Sequence, residues 1–190
     1  MTRYEIRWHG RGGQGAVTAS MILAMAAVYE GKYAQAFPEF GAERRGAPVR
    51  AYTRIDDEPI YTRAPILHPD VVVVLDPSLP KELYLEGVKD STIFIINTKK
   101  GRDDIARELG VGKERVFTVD ATRIALETLK VPIVNTAMVG ALIGVLPLVK
   151  LENVERAVRE TFGGRIAEAN VVAIRKAYEE IRAGRVEVVG

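Results

Sequence analysis

Residues Tyr4 to Gly15, Y-E-I-R-W-H-G-R-G-G-Q-G, constrain the fold more than any other segment, because a strand pattern runs straight into G-x-G-x-x-G and then into a helical pattern. Tyr4, Ile6 and Trp8 fall on one strand face and Glu5, Arg7 and His9 on the other, the period-two signature of a half-buried strand. Gly10, Gly12, Gly13 and Gly15 allow a tight turn in which backbone N–H groups approach a phosphate with no Cβ in the way. A helix is expected from Ala16 to Tyr29, its N-terminus adding roughly half a positive charge at the same spot. A strand, a glycine turn and a helix in this order open a doubly wound sheet.

The rest of the chain continues that alternation. Lys32 to Phe37 reads as a second strand ended by Pro38, and a polar loop follows from Glu39 to Pro48. Val49 to Ile55 alternates, Asp56 to Pro59 makes a turn, and residues 49–62 are expected to form a hairpin. Val71 to Leu75 and Ser91 to Asn97 are continuous apolar runs of the kind found in central parallel strands covered on both faces. Short helices are expected over Pro80 to Glu86 and Asp103 to Leu109, a last strand over Val116 to Asp120, and a helix over Ala121 to Leu129. Three more helices close the chain at Thr136 to Leu148, Leu151 to Phe162 and Ala169 to Ala183, with breaks at Pro147 and Gly163-Gly164. The expected fold is α/β: a mostly parallel Rossmann-like sheet with flanking helices, an inserted β-hairpin and C-terminal helices, in one domain spanning residues 1–190.

Composition excludes several functions. The chain is 47% hydrophobic and 27% charged with a net charge of only +2, which gives no bulk electrostatic ground for nucleic acid or membrane binding. Its apolar runs fall short of a membrane span and the N-terminus lacks a signal-peptide core, so a cytoplasmic location is expected. With no cysteine the chain cannot supply a thiolate set for an iron–sulfur cluster or a structural zinc. His9 and His68 stand far apart with no carboxylate at ligand spacing, and no resident metal is expected.

Candidate ligand residues gather around the glycine turn. Gly10, Arg11, Gly12, Gly13, Gln14 and Gly15 fit a phosphate-bearing ligand, or the glycines serve only close strand–helix packing. A dehydrogenase is disfavoured, because the second strand ends with Gln35 where a ribose-binding carboxylate would be needed. Arg44 and Arg45 carry two guanidinium forks suited to a phosphate monoester or a pyrophosphate, or else pair with Glu39 or Glu43. Arg11 divides between a phosphate contact and a subunit salt bridge, and Gln14 between orienting a ligand and capping the turn. Asn135 and Thr136 either cap a helix or offer polar contacts to a ligand at its start. Neither Ser20 nor Ser78 sits in a nucleophile motif, and no catalytic residue is assigned.

Two motifs taken together resemble a known family: Arg7 to Gly15, R-W-H-G-R-G-G-Q-G, and Tyr33 to Pro48, Y-A-Q-A-F-P-E-F-G-A-E-R-R-G-A-P. Both are similar to the gamma subunit of pyruvate (2-oxoacid):ferredoxin oxidoreductases, and the V-V-V-V-L-D strand and V-P-I-V-N-T helix start extend the likeness over most of the chain. The resemblance implies oxidative decarboxylation of a 2-oxoacid to acyl-coenzyme A with reduction of ferredoxin, by a complex in which this chain is inactive alone. Thiamine diphosphate, Mg2+ and [4Fe-4S] clusters are then carried by partner alpha, beta and delta subunits. Coenzyme A, with its pyrophosphate and 3′-phosphate, becomes the ligand expected at the glycine turn and Arg44-Arg45. Pyruvate is the favoured 2-oxoacid. The alternatives are a gamma subunit for 2-ketoisovalerate or another 2-oxoacid, or a stand-alone nucleotide-binding Rossmann-like protein.

Overall fold

The computed structural model describes residues 3–39 and 44–189, with side chains to residue 184. Its strands are β1 (Tyr4–Arg11), β2 (Tyr33–Pro38), β3 (Pro48–Asp56), β4 (Val71–Val74), β5 (Ile93–Asn97) and β6 (Val116–Val119). The helices are α1 (Ala16–Tyr29), α2 (Lys81–Leu85), α3 (Arg102–Leu109), α4 (Ala121–Leu129), α5 (Asn135–Val145), α6 (Leu151–Thr161) and α7 (Gly164–Val189). All six strands join one sheet in the order β2-β3-β1-β4-β5-β6. Neighbours β1, β4, β5 and β6 are parallel, and β3 runs antiparallel between β1 and β2.

The β-branched runs form the sheet centre for the reason their composition gives: Val71 to Val74 are wholly buried, with helices on both faces of β4. One face carries Ile6, Trp8, Val71, Val73 and Ile95 beneath α1, α4, α5 and α7. The other places Val72, Val74, Phe94 and Ile96 beneath α2 and α3.

A hairpin exists, but not over residues 49–62. Pro48 to Asp56 is one long strand that pairs along its length with β1, and its hairpin partner is β2, paired from Tyr33↔Asp56 to Pro38↔Ala51. The alternation from Val49 to Ile55 is genuine, yet Ile60-Tyr61 belongs to irregular chain, where Pro59 and Pro65 interrupt any ladder. Smaller shifts have local causes. Helix α5 stops at Val145 rather than Leu148 because Leu146 precedes Pro147 and takes an extended conformation. Helix α7 begins at Gly164 instead of Ala169, and Gly164 there has φ +54°.

Helices α5 and α7 are the closest-packed pair. A Cβ on Gly140 would stand 2.3 Å from the Ile174 carbonyl oxygen, so the backbones meet with no room for a side chain. This pairing explains why α5 is apolar on all sides: every residue from Asn135 to Val145 is buried.

Candidate functional site

The chain leaves β1 on one side of the sheet through the glycine turn and leaves β4 on the other through Leu75 to Ser78, so the crevice between them is the topological switch point where doubly wound sheets receive ligands. Here that crevice is filled from within. Asp76, at the end of the V-V-V-V-L-D run, faces the turn and accepts from Gln14 Nε2 at 2.7 Å, while Arg11 Nε lies 3.3 Å from the same carboxylate oxygen. Ser78 donates to Asp76 through both its N–H and its hydroxyl. Burial works to raise the Asp76 carboxyl, but the hydrogen bonds from Ser78 and Gln14 and the Arg11 charge outweigh it and hold the group below its ordinary range.

Arg11 and Gln14 are therefore committed inside the chain. Arg11 also donates to the Gly46 carbonyl at 3.1 Å and to Ser78, and Gln14 Oε1 accepts the Arg11 N–H at 2.6 Å. Gln14 caps the turn, and Arg11 makes a salt bridge within the chain to Asp76. Asp76 is the member of this network that the glycine motif does not announce. Its signal was an acid closing a buried parallel strand, at the edge where β–α turns gather.

The two N-terminal motifs meet. Gly12 donates to the Ala47 carbonyl at 2.8 Å, Gly46 donates to Gly12 at 3.1 Å, and Gly12 and Arg45 form a parallel bridge. A Cβ on Gly12 would fall 2.2 Å from the Arg44 carbonyl oxygen, and one on Gly15 would fall 2.4 Å from Asn135 Nδ2. Close packing is thus one task of these glycines. Gly13 differs: it is exposed with φ +91°, beside the stem of Arg45. Arg44 and Arg45 are exposed and make no ion pair among the described residues; Glu39, offered as a partner, lies by Arg50 and Tyr52 instead. Glu43 lies outside the described residues, as do Phe40, Gly41 and Ala42.

Asn135 and Thr136 separate. Val134 is the residue before α5, so neither is the N-cap. Thr136 is fully buried with its hydroxyl bonded to Asn170 of α7 at 2.7 Å. Asn135 turns toward Gly15 and lines a cavity of about 410 Å³ with Leu129, Ile133, Phe162 and Ile166.

Behind the turn, on the opposite face of β1 from Trp8, lies a buried cationic cluster. Arg7 donates to His9 Nε2 at 2.9 Å and to the carbonyls of Tyr84 and Glu86, pinning the α2 segment to the sheet. Burial and neighbouring Arg50 lower Arg7 to about 10, leaving it protonated at neutral pH. Burial, then Arg7 and Arg50, push His9 well below its ordinary value, so the ring is neutral and its Nε2 accepts. No group of three or more potential metal ligands occurs among the described residues, and no helix among them is long and apolar enough to cross a membrane.

Residues 5–180 match the family model of pyruvate ferredoxin/flavodoxin oxidoreductase, and the chain belongs to that family. Among its relatives, the common gamma subunit of pyruvate/ketoisovalerate oxidoreductases from Pyrococcus abyssi is 54% identical over 177 residues, covering 93% of this chain and 96% of that one. The pyruvate synthase subunit PorC of Methanocaldococcus jannaschii is 53% identical, again over 93% of this chain and 96% of the relative. A crystal structure of the pyruvate oxidoreductase subunit PORC from Thermotoga maritima superposes with a TM-score of 0.83 at 43% identity, covering 94% of this chain and 97% of that one.

Proposed function

We propose that this chain is the gamma subunit of a pyruvate:ferredoxin oxidoreductase complex, which oxidatively decarboxylates the 2-oxoacid to acyl-coenzyme A and passes electrons to ferredoxin. Near-full-length identity above 50% to gamma and PorC subunits supports this reading and carries it. A chain with no cysteine has no thiolates for clusters, which agrees with a division of labour in which alpha, beta and delta subunits hold thiamine diphosphate, Mg2+ and [4Fe-4S] centres. One relative is a gamma subunit common to pyruvate and ketoisovalerate oxidoreductases, and this favours a second reading in which the partners choose the 2-oxoacid. Activity of the reconstituted complex on pyruvate and 2-ketoisovalerate separates the two. A cytoplasmic setting belongs to the same proposal.

Within that complex the chain's own task is to hold coenzyme A by its phosphates. Two exposed guanidiniums with no ion pair among the described residues, on a loop bonded to the exposed Gly13 turn, support this. Arg44 and Arg45 take the phosphates, the backbone at Gly13 and Gly15 approaches the pyrophosphate, and Asn135 borders the site. Gly10, Gly12, Arg11 and Gln14 shape and brace the turn.

Replacing both Arg44 and Arg45 by alanine should raise the KM for coenzyme A in the assembled enzyme while leaving the KM for pyruvate unchanged. Each well-formed charge-assisted contact is worth about 1.5–3 kcal/mol, or roughly 10- to 150-fold. An unchanged KM for coenzyme A would leave the chain a purely structural subunit.

A further inference from the structure

Strand β2 forms one edge of the sheet, and Pro38 at its end is the one edge-blunting residue along it. Segment Tyr33 to Pro38 carries no charged side chain, although edge strands are normally blunted with lysines or inward-pointing charges. Glu39 donates to the Arg50 carbonyl at 3.0 Å, and with the Pro38↔Ala51 register this sets the alternation of the ladder. Glu39, Phe37, Gln35 and Tyr33 turn their backbone groups to β3, whereas Ala34, Ala36 and Pro38 turn theirs away. Pro38, with no N–H to offer, stands where an outward position allows it.

Beside this edge runs an open, mostly apolar groove of about 440 Å³, bordered by Met21, Met25 and Val28 of α1 and by Ala34 and Ala36, with Glu160 of α6, paired to Arg156, also lining it. From Ala16 to Tyr29 helix α1 has no charged residue, and a helix apolar on every side is one covered on every side. Yet Met21 and Val28 are 50% and 55% exposed, on the same stripe as Met25.

We propose that a second copy of this chain covers this edge, pairing β2 with β2 antiparallel across a two-fold axis through Gln35. The sequence of the edge is its own complement. Tyr33-Ala34-Gln35-Ala36-Phe37 reads aromatic, alanine, glutamine, alanine, aromatic in both directions, so antiparallel pairing sets Ala34 opposite Ala36 and Ala36 opposite Ala34. Those are the residues with outward N–H and C=O groups. Each pair exchanges two hydrogen bonds, as an isologous contact requires, and Gln35 meets its own copy on the axis. No charge opposes a like charge along the strand. The Met21, Met25 and Val28 stripes of the two α1 helices then meet above a continuous sheet, which removes both the bare edge and the exposed apolar helix face.

Sedimentation equilibrium on the purified full chain at tens of micromolar tests this, with an expected mass twice the 20.9 kDa of one chain. Ala36→Pro removes one outward N–H without touching the β3 ladder, and Val28→Lys puts a charge on the helix seam. Each should return the chain to a single-chain mass with an unchanged circular dichroism spectrum. Because the sequence has no cysteine, Gln35→Cys carries a unique thiol. Across an antiparallel axis its Cα would lie about 4.5 Å from its copy, within disulfide range, so mild oxidation should yield a cross-linked dimer. Lys99→Cys, at an exposed position just after β5 and four strands from this edge, should not cross-link to the same extent. A single-chain mass for the unaltered protein overturns the proposal. So does a dimer that survives both Ala36→Pro and Val28→Lys, or cross-linking no greater at Gln35→Cys than at Lys99→Cys.

Discussion

Gly12 and Gly13, adjacent in the turn, ask different things of a side chain. At Gly12 the obstacle is backbone, the Arg44 carbonyl, which cannot swing aside as a side chain would. Gly12→Ala should therefore detach the arginine loop and cost about 1–3 kcal/mol, the range for forced overpacking, seen as a lowered urea midpoint with an unchanged slope. His9 adds to the pH dependence of stability a contribution that can be traced to one ring. Its folded pKa lies below the ordinary 6.5, so as the pH falls the unfolded chain takes up the proton first. The contribution is complete above about pH 6.5 and drains below it, by up to about 1.4 kcal/mol per pH unit. His9→Gln keeps an acceptor for Arg7 and does not titrate. Compared with the parent, it should lose less stability between pH 7 and pH 5 in urea titrations; parallel losses would mean that His9 is not the group responsible.

Among the elements, α5 and α7 hold the face that backs the glycine turn, and their contact depends on two glycines one turn apart. Alanine is the better helix former by about 1 kcal/mol, so packing alone can make either substitution harmful. Against Gly140 stands the Ile174 backbone at 2.3 Å; against Gly144 the nearest atom is a side-chain methyl of Ile181 at 2.7 Å. Gly140→Ala should lower Tm clearly and Gly144→Ala less, because the backbone facing Gly144, the Tyr178 carbonyl, stands at 3.0 Å where that facing Gly140 stands at 2.3 Å. Equal effects would refute this account of the pair. The element boundaries show where one-dimensional reading suffices. Period-two and continuous apolar runs located β1, β4, β5 and β6, since buried parallel strands must be apolar on both faces. Alternation identifies a strand but not its partner: Pro48 to Asp56 finds β2, across a long loop, through register that no local pattern encodes.

For the whole molecule, one sheet holds two apolar clusters, one on each face, and β4, β5 and β6 contribute side chains to both. We expect a single cooperative unfolding transition in which fluorescence of Trp8, fully buried under α1, and far-UV circular dichroism coincide. Separated transitions would show that the chain is more than one folding unit. The sequence by itself determined the strand–turn–helix opening, the α/β class, the absence of thiolate ligands and, through two specific motifs, the family. These are properties of spacing and residue type, which survive without coordinates. Tertiary structure decided how the candidate site is divided. Only folding brings Asp76 against Arg11 and Gln14, which occupies them, turns Thr136 into the α5–α7 contact, and leaves Arg44 and Arg45 exposed beside Gly13. Which charges neutralise each other depends on distances of 3 to 4 Å between segments more than thirty residues apart, and spacing along the chain carries no such information.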